Sequence, residues 1–312
     1  MKKKLFLLFK VLFSFTVIYY IVSYKAPISQ IIKILKNSNL LLLLFAFSLH
    51  AIGIYISAVR WGIIIEGQRE GEHPGVFNLV MFYLVAGFFN LFLPTRFGGD
   101  IARIIDSRDS VKSYTKSFSV ILVERINGTF ILFLFSFISS LYYVLKGNNS
   151  SIYLVGLIFG GLGVLGTIIF FSPLFGEIVR IFKFLPGKIY SKFEEMEESV
   201  KDVRSKERTL LKITFLSLLL QINVIIHYYL IGLAINLKIP FFDYFVFIPI
   251  ILIILILPVS INGIGLRDIS LVEAFKNFGV PASAAVAFST IDLIFMILLG
   301  IIGGLIFAFR KK

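Results

Sequence analysis

The chain of 312 residues has no cysteine, which excludes disulfides, thiolate metal sites and a cysteine nucleophile. Histidine is nearly as scarce: His50, His73 and His227 stand too far apart to form a metal-binding pattern. Carboxylates are outnumbered, 18 Asp and Glu against 31 Lys and Arg, for a formal net charge of +13. No hinge or linker marks off a soluble domain, so residues 1–312 read as one unit. The window 152–171 lacks charge altogether.

Hydrophobic residues fill the space left, at 58% of the chain with a mean hydropathy of +0.92. Apolar windows long enough to cross a bilayer recur at 5–23, 40–59, 117–145, 152–171, 210–237 and 283–309. The composition is that of an all-α polytopic membrane protein. Its basic excess lies mostly in loops, where it sets orientation and attracts anionic head groups, so no nucleic-acid partner is implied. Met1-Lys2-Lys3-Lys4 before an apolar run resembles a secretory signal. Lys10 interrupts the run and no small-x-small site precedes Pro27, so an uncleaved signal anchor is expected.

Two stretches repeat an unusual punctuation. Leu93-Pro94-Thr95-Arg96-Phe97-Gly98-Gly99-Asp100 with Arg103 follows the apolar segment 76–93. Leu257-Pro258-Val259-Ser260-Ile261-Asn262-Gly263-Ile264-Gly265 with Arg267-Asp268 follows the segment 241–258. Broken helices and charge at membrane depth are expensive, and paired occurrences are typical of transporters.

Loop charge separates two topologies. If 76–93 and 241–258 are full spans, eight crossings put the basic termini outside with the less basic loops. If both are re-entrant, six crossings remain. The termini, 60–75, 94–116 and 172–212 then share the cytoplasmic side with 22 Lys and Arg, against seven outside. The re-entrant reading fits far better. Three crossings separate the two motifs, so the first hairpin enters from the cytoplasm and the second from outside, an inverted repeat. A tilted, broken span is the alternative for 76–93, whose 18 residues exceed the roughly ten needed to reach mid-membrane. The polar stretch 172–208 reads as a solvated, salt-bridged helical segment on the cytoplasmic face.

Chemistry is expected at the punctuation. Gly98-Gly99 permits a turn, Asp100 is placed to cap the helix toward Ser110, and the free N–H groups there favour an anion. Arg96 and Arg103 add charge-assisted hydrogen bonds, unless Asp100 and Arg103 simply neutralise each other. Asn262, Gly263 and Gly265 repeat the logic before a helix at 266–278. Arg267 and Asp268, on different faces of that helix, are further head-group ligands. Glu124-Arg125 places opposite charges inside a span, where Arg125 either snorkels or meets a phosphate. Asp292 either complements an arginine or carries a coupling proton. His50 and His227, with Asn90, Gln221 and Asn223, read as helix–helix hydrogen bonders, and Arg60-Trp61 as an interface anchor.

The chain resembles the flippase-like family typified by the transmembrane region of lysylphosphatidylglycerol synthases. The resemblance rests on Leu93 to Arg103, on Glu124-Arg125, on Pro258 to Asp268 and on Gly279-Val280-Pro281. Asp268 stands where the family more usually has glutamate. The resemblance implies a cell-membrane protein that moves a lipid head group between leaflets, and the loop charge puts both termini on its cytoplasmic side. Relatives act on aminoacylated phosphatidylglycerol or polyprenyl-linked sugars, and some fuse this region to a synthase or a glycosyltransferase. This sequence ends at Lys312, just after the last span, so such a synthase or glycosyltransferase is expected as a separate partner.

The expectation is therefore a non-enzymatic, cofactor-free lipid flippase of alternating-access type that binds a phosphate-containing head group. Rival readings are an intramembrane head-group transferase or phosphatase, with His50 or Glu124 as base, and a non-transporting assembly partner.

Overall fold

A computed structural model describes residues 12, 16–17, 19–68, 71–92, 98–257, 259–260 and 263–310. The chain is helical along almost its whole described length. In order the helices are α1 (Ile28–Lys36), α2 (Leu40–Gln68), α3 (Gly75–Phe92), α4 (Gly98–Val111), α5 (Tyr114–Leu145), α6 (Ser151–Phe170), α7 (Leu174–Ile181), α8 (Gly187–Ser205), α9 (Glu207–Ala234), α10 (Tyr244–Ile254), α11 (Leu266–Lys276) and α12 (Ala282–Phe309). A π-helical turn, Ile21–Lys25, precedes α1.

Among the described residues, α2, α5, α6, α9 and α12 are long and apolar enough to cross a membrane. They coincide with five of the six expected windows, because the thickness of hydrocarbon fixes how long an apolar run must be. The sixth window, 5–23, lies largely outside the described residues. The largest departure is α2, which continues nine residues past the expected end at 59. Arg60 does not anchor at the interface but is buried in that extension, with Trp61 wholly buried beside it.

The two punctuated segments fold as helical hairpins. The backbone N–H of Gly71, before α3, donates to the carbonyl of Ser110, at the end of α4, over 2.8 Å. Entry and exit of the first hairpin therefore lie at one face. Its arms are long: the 18 residues of α3 span about 27 Å at 1.5 Å per residue. The second hairpin, α10 and α11, closes at the other end of the molecule. Asp243, just before α10, accepts from Tyr153 Oη at 2.8 Å, and Asn277, just after α11, accepts from Ser151 Oγ at 3.4 Å. Both partners sit in the first turn of α6, so this hairpin too enters and leaves at one face.

Those faces are opposite. The first carries the end of α2, where Gln68 Nε2 donates to Ser199 O at 2.9 Å and Lys206 Nζ donates to Gly67 O at 2.8 Å. Ser113, the N-cap of α5, donates to Glu195 on α8 at 2.6 Å. Arg310, after α12, reaches Asp106 on α4 at 2.5 Å. Segment 172–208 is thus helical as expected, and it docks on this face through α8. At the other end, Asn39 N donates to Ala234 O at 2.8 Å, joining the start of α2 to the end of α9.

Two hydrophobic cores follow the two hairpins. One gathers Trp61, Ile64, Ile65, Leu79, Val120, Val123 and Ile213 beside α3 and α4, with Val200 and Val203 of α8 closing it. The larger one gathers Tyr244, Phe247, Phe275, Phe288 and Ile291 around α10 and α11. Between the cores lie buried ion pairs and a cavity.

Candidate functional site

Glu124 lies one-third of the way along α5 and is 2% exposed. A bare carboxylate cannot stay ionised at such depth without compensation. It receives three donors: Arg60 Nη2 from α2 at 2.7 Å, Tyr83 Oη from α3 and Arg103 Nη2 from α4. Arg103 is itself sandwiched, its guanidinium carbon 4.2 Å from the ring centroid of Trp61 and 4.1 Å from that of Tyr83. The network extends to α9, where Arg60 Nη1 donates to Ser217 Oγ at 2.7 Å and Ser217 donates to Asn127 at 2.6 Å. Asp100 pairs with Arg125 at 2.5 Å and stands 3.8 Å from Arg103. Three arginines thus face two carboxylates.

A second cluster lies on the side of the opposite hairpin. Arg267, 2% exposed, donates Nη1 to Asp292 Oδ2 at 2.6 Å and Nε to Ser289 Oγ at 2.9 Å. The other carboxylate oxygen of Asp292 faces His227 Nε2 at 3.6 Å. His227 Nδ1 meets the carbonyl of Ala46 at 2.8 Å, the helix–helix bond its position suggested. His50 stands edge-on to His227, with 4.4 Å between ring centroids.

A cavity of about 450 Å³ lies between the clusters. Gly87, Asn90 and Leu91 of the first hairpin and Leu252 and Ile256 of the second both contribute to its wall. Arg125 reaches it from the first cluster, and His50, His227 and Asp292 from the second. The rest of its polar lining is neutral, from Ser57 and Asn223 among others, against a largely leucine wall.

The expected ligands divide accordingly. Arg125 faces the cavity with its side chain 37% exposed, while Arg103, Glu124 and Arg267 are turned into buried ion pairs away from the cavity wall. The carboxylate partners of Arg103 and Arg267, 21 and 25 residues further along, pair with those guanidinium groups. Asp100 lies inside the first turn of α4 and serves as counter-ion to Arg125, while Asn90 Oδ1 takes the N–H of Gly99 at 2.7 Å. That N–H is therefore engaged and does not present itself to an anion. Gly98 and Gly99 are helical and buried, and Gly99 serves close approach: a methyl there would stand 2.5 Å from the carbonyl of Ala86.

In the second motif Gly263 and Gly265 both hold φ of +81°, which the turn demands and side-chained residues resist. Asp268 is the capping residue there, its Oδ2 accepting from Gly265 N at 2.9 Å, not a cavity ligand. Asp292 complements an arginine, one of the two roles open to it. Arg96 and Asn262 lie outside the described residues.

Sequence reasoning did not find Arg60, Tyr83 or the paired imidazoles. A seven-residue spacing, from Ala46 through Gly53 to Arg60, places one stripe of α2 against α9 and marks it as an inward face. The apolar window that ends at residue 59 hides that continuation.

The family described as the lysylphosphatidylglycerol synthase TM region matches residues 7–304. A UPF0104 membrane protein of Methanocaldococcus jannaschii is 26% identical over 308 residues, covering 93% of this chain and 89% of that protein. A second UPF0104 membrane protein, from Pyrococcus horikoshii, is 22% identical over 319 residues, covering 92% of each. No solved structure matches the chain significantly. With its helical spans, its opposed hairpins and a family match along nearly its whole length, this multi-pass integral membrane protein belongs to the lysylphosphatidylglycerol synthase transmembrane-region family.

Proposed function

We propose that the protein is a lipid flippase of the cell membrane that carries a phosphate-bearing head group through the central cavity by alternating access. The observation that carries this reading is the cavity shared by two hairpins that enter from opposite faces. Rocking one hairpin against the other opens such a space to either side in turn. Its volume of about 450 Å³ suits a head group whose tails stay in lipid. Arg125, anchored by Asp100, brings a guanidinium to the cavity wall, the group that phosphate favours. The glycine turns and buried ion pairs hold the hairpins and do not touch substrate. The face bearing α8 and Arg310 is cytoplasmic on this reading, following its basic charge. A separate lipid-modifying synthase or glycosyltransferase supplies the lipid.

Leaflet exchange of a labelled anionic phospholipid in proteoliposomes tests the proposal. A charge-assisted hydrogen bond contributes about 1.5–3 kcal/mol, so Arg125→Ala slows exchange by roughly ten- to a hundredfold. Arg125→Lys retains part of it. Exchange that is untouched in Arg125→Ala, in protein still monodisperse and helical, removes the proposal. Conversion of the lipid into a new product by purified protein replaces it with head-group chemistry.

A further inference from the structure

The geometry points to a proton-binding site at His227 Nε2, and we infer that its proton travels with the anionic head group. The first step is tautomer logic. The carbonyl of Ala46 can only accept, so the 2.8 Å contact fixes a hydrogen on His227 Nδ1. In a neutral ring Nε2 then carries only a lone pair. That lone pair would face Asp292 Oδ1 at 3.6 Å, one acceptor against another. Asp292 cannot readily supply the missing hydrogen, because Arg267 Nη1 at 2.6 Å from its other oxygen favours the ionised carboxylate. A proton on Nε2 turns the unfavourable contact into a charged pair. The separation exceeds a formed hydrogen bond, so the pair has room to tighten when the proton arrives.

The surroundings make the site switchable. Asp292 on α12 favours the added charge. Opposing it are Arg267 on α11, His50 on α2 and, across the cavity, Arg125 on α5. The neighbouring wall from α3, from α10 and from the turn after α10 offers neutral groups, Asn90, Leu252 and Ile256 among them. Three cationic or ionisable neighbours thus share one carboxylate in the empty cavity. A phosphate entering beside Arg125 adds negative charge and tips the balance toward the imidazolium. By linkage the proton then tightens the phosphate by the same factor, so the two are taken up together. Asp292 is the element that hears both: His227 competes with Arg267 for it, and Arg267 belongs to the second hairpin. Proton arrival or loss thereby bears on the arm whose movement opens the cavity.

The proton site stands on this geometry alone, whereas its coupling to lipid movement rests on the transport reading. Two measurements separate them. The first is ¹⁵N NMR of histidine-labelled protein in nanodiscs, where only three histidines need assignment and His227→Gln identifies the signal. At neutral pH and with phosphatidylglycerol present, both ring nitrogens of His227 bear hydrogen. An Nε2 signal typical of a bare lone pair overturns the site. The second is leaflet exchange of phosphatidylglycerol under an imposed pH difference across the vesicle. One unit shifts the steady distribution by up to about tenfold per proton carried in the wild type. His227→Gln and His50→Gln reduce the shift, the first abolishing it. A distribution indifferent to the gradient in wild-type protein that exchanges lipid overturns the coupling. A doubly protonated His227 in protein that exchanges no lipid upholds the site and brings down the transport reading instead.

Discussion

Arg267 Nη1 lies 2.6 Å from Asp292 Oδ2, joining the second arm of one hairpin to the span that follows it. Arg103 and Glu124 form the counterpart in the other hairpin, again from the second arm to the following span. The repeated motifs each supply an arginine to such a pair. They are two brackets, each clamping a hairpin to the helix that follows. Arg125 belongs to neither bracket: it pairs with Asp100 and reaches the cavity wall.

Removing one member of a bracket leaves a charge buried without its partner. Arg267→Ala and Glu124→Ala each lower stability by about 3–5 kcal/mol, the usual consequence of orphaning a buried ion. Replacing both partners with apolar residues of similar size, as in Arg267→Met with Asp292→Leu, recovers most of that loss. Thermal unfolding in detergent, run as a double-mutant cycle, reads the recovery. Singles and double falling together would mean that the pair contributes no mutual stabilisation.

Much of the architecture was legible because hydrocarbon thickness imposes a length on every apolar run. The ends of α5, α6, α9 and α12 fall within three residues of the expected windows for that reason. The hairpins were legible only through loop charge, since an 18-residue apolar helix such as α3 has the length of a span. The roles of single charges were not legible. Arg103 and Arg267 read as ligands because their carboxylates lie on another helix, beyond the reach of the three- and four-residue rules. Asp268 could have been placed correctly, because the three-residue spacing from Gly265 is that of a helix-start cap.

Gly265 sets the turn into α11 at φ +81°, in the left-handed region. Gly265→Ala costs about 1–2 kcal/mol there. Gly279, also left-handed at φ +66° but with open space around it, gives a similar loss when changed to alanine. Unfolding midpoints measure both, and losses near zero would contradict the backbone geometry at these turns.

Gly99 illustrates a different constraint. Its backbone is helical, yet a methyl would press on the carbonyl of Ala86 and on the amide of Asn90. Gly99→Ala forces α3 and α4 apart and displaces the Asn90 cap, for a combined loss of about 1–3 kcal/mol. Asn90→Ala removes only the cap and leaves the helices packed, so its loss is the smaller, about 1 kcal/mol. The ordering of the two, measured by unfolding, distinguishes close approach from capping. The reverse order would place the constraint in the hydrogen bond.

The absence of cysteine makes the topology directly testable, because any introduced thiol is the sole reactive site. Asp109 lies beyond most of the first hairpin, near its exit, and Lys238 and Lys276 flank the second; all three are exposed. If each hairpin returns to its own side, Lys238→Cys and Lys276→Cys react together with a membrane-impermeant maleimide added to one face of sealed vesicles. Asp109→Cys reacts only from the other face, together with Ser205→Cys beside α9. A full span at α10 would instead place Lys238 and Lys276 on opposite sides, since a single crossing would separate them. If the more basic face is the cytoplasmic one, intact cells label Lys238→Cys and Lys276→Cys while inverted vesicles label Asp109→Cys. Labelling of Asp109→Cys and Lys276→Cys from the same side would dissolve the opposed hairpins, and with them the basis for a cavity that opens alternately.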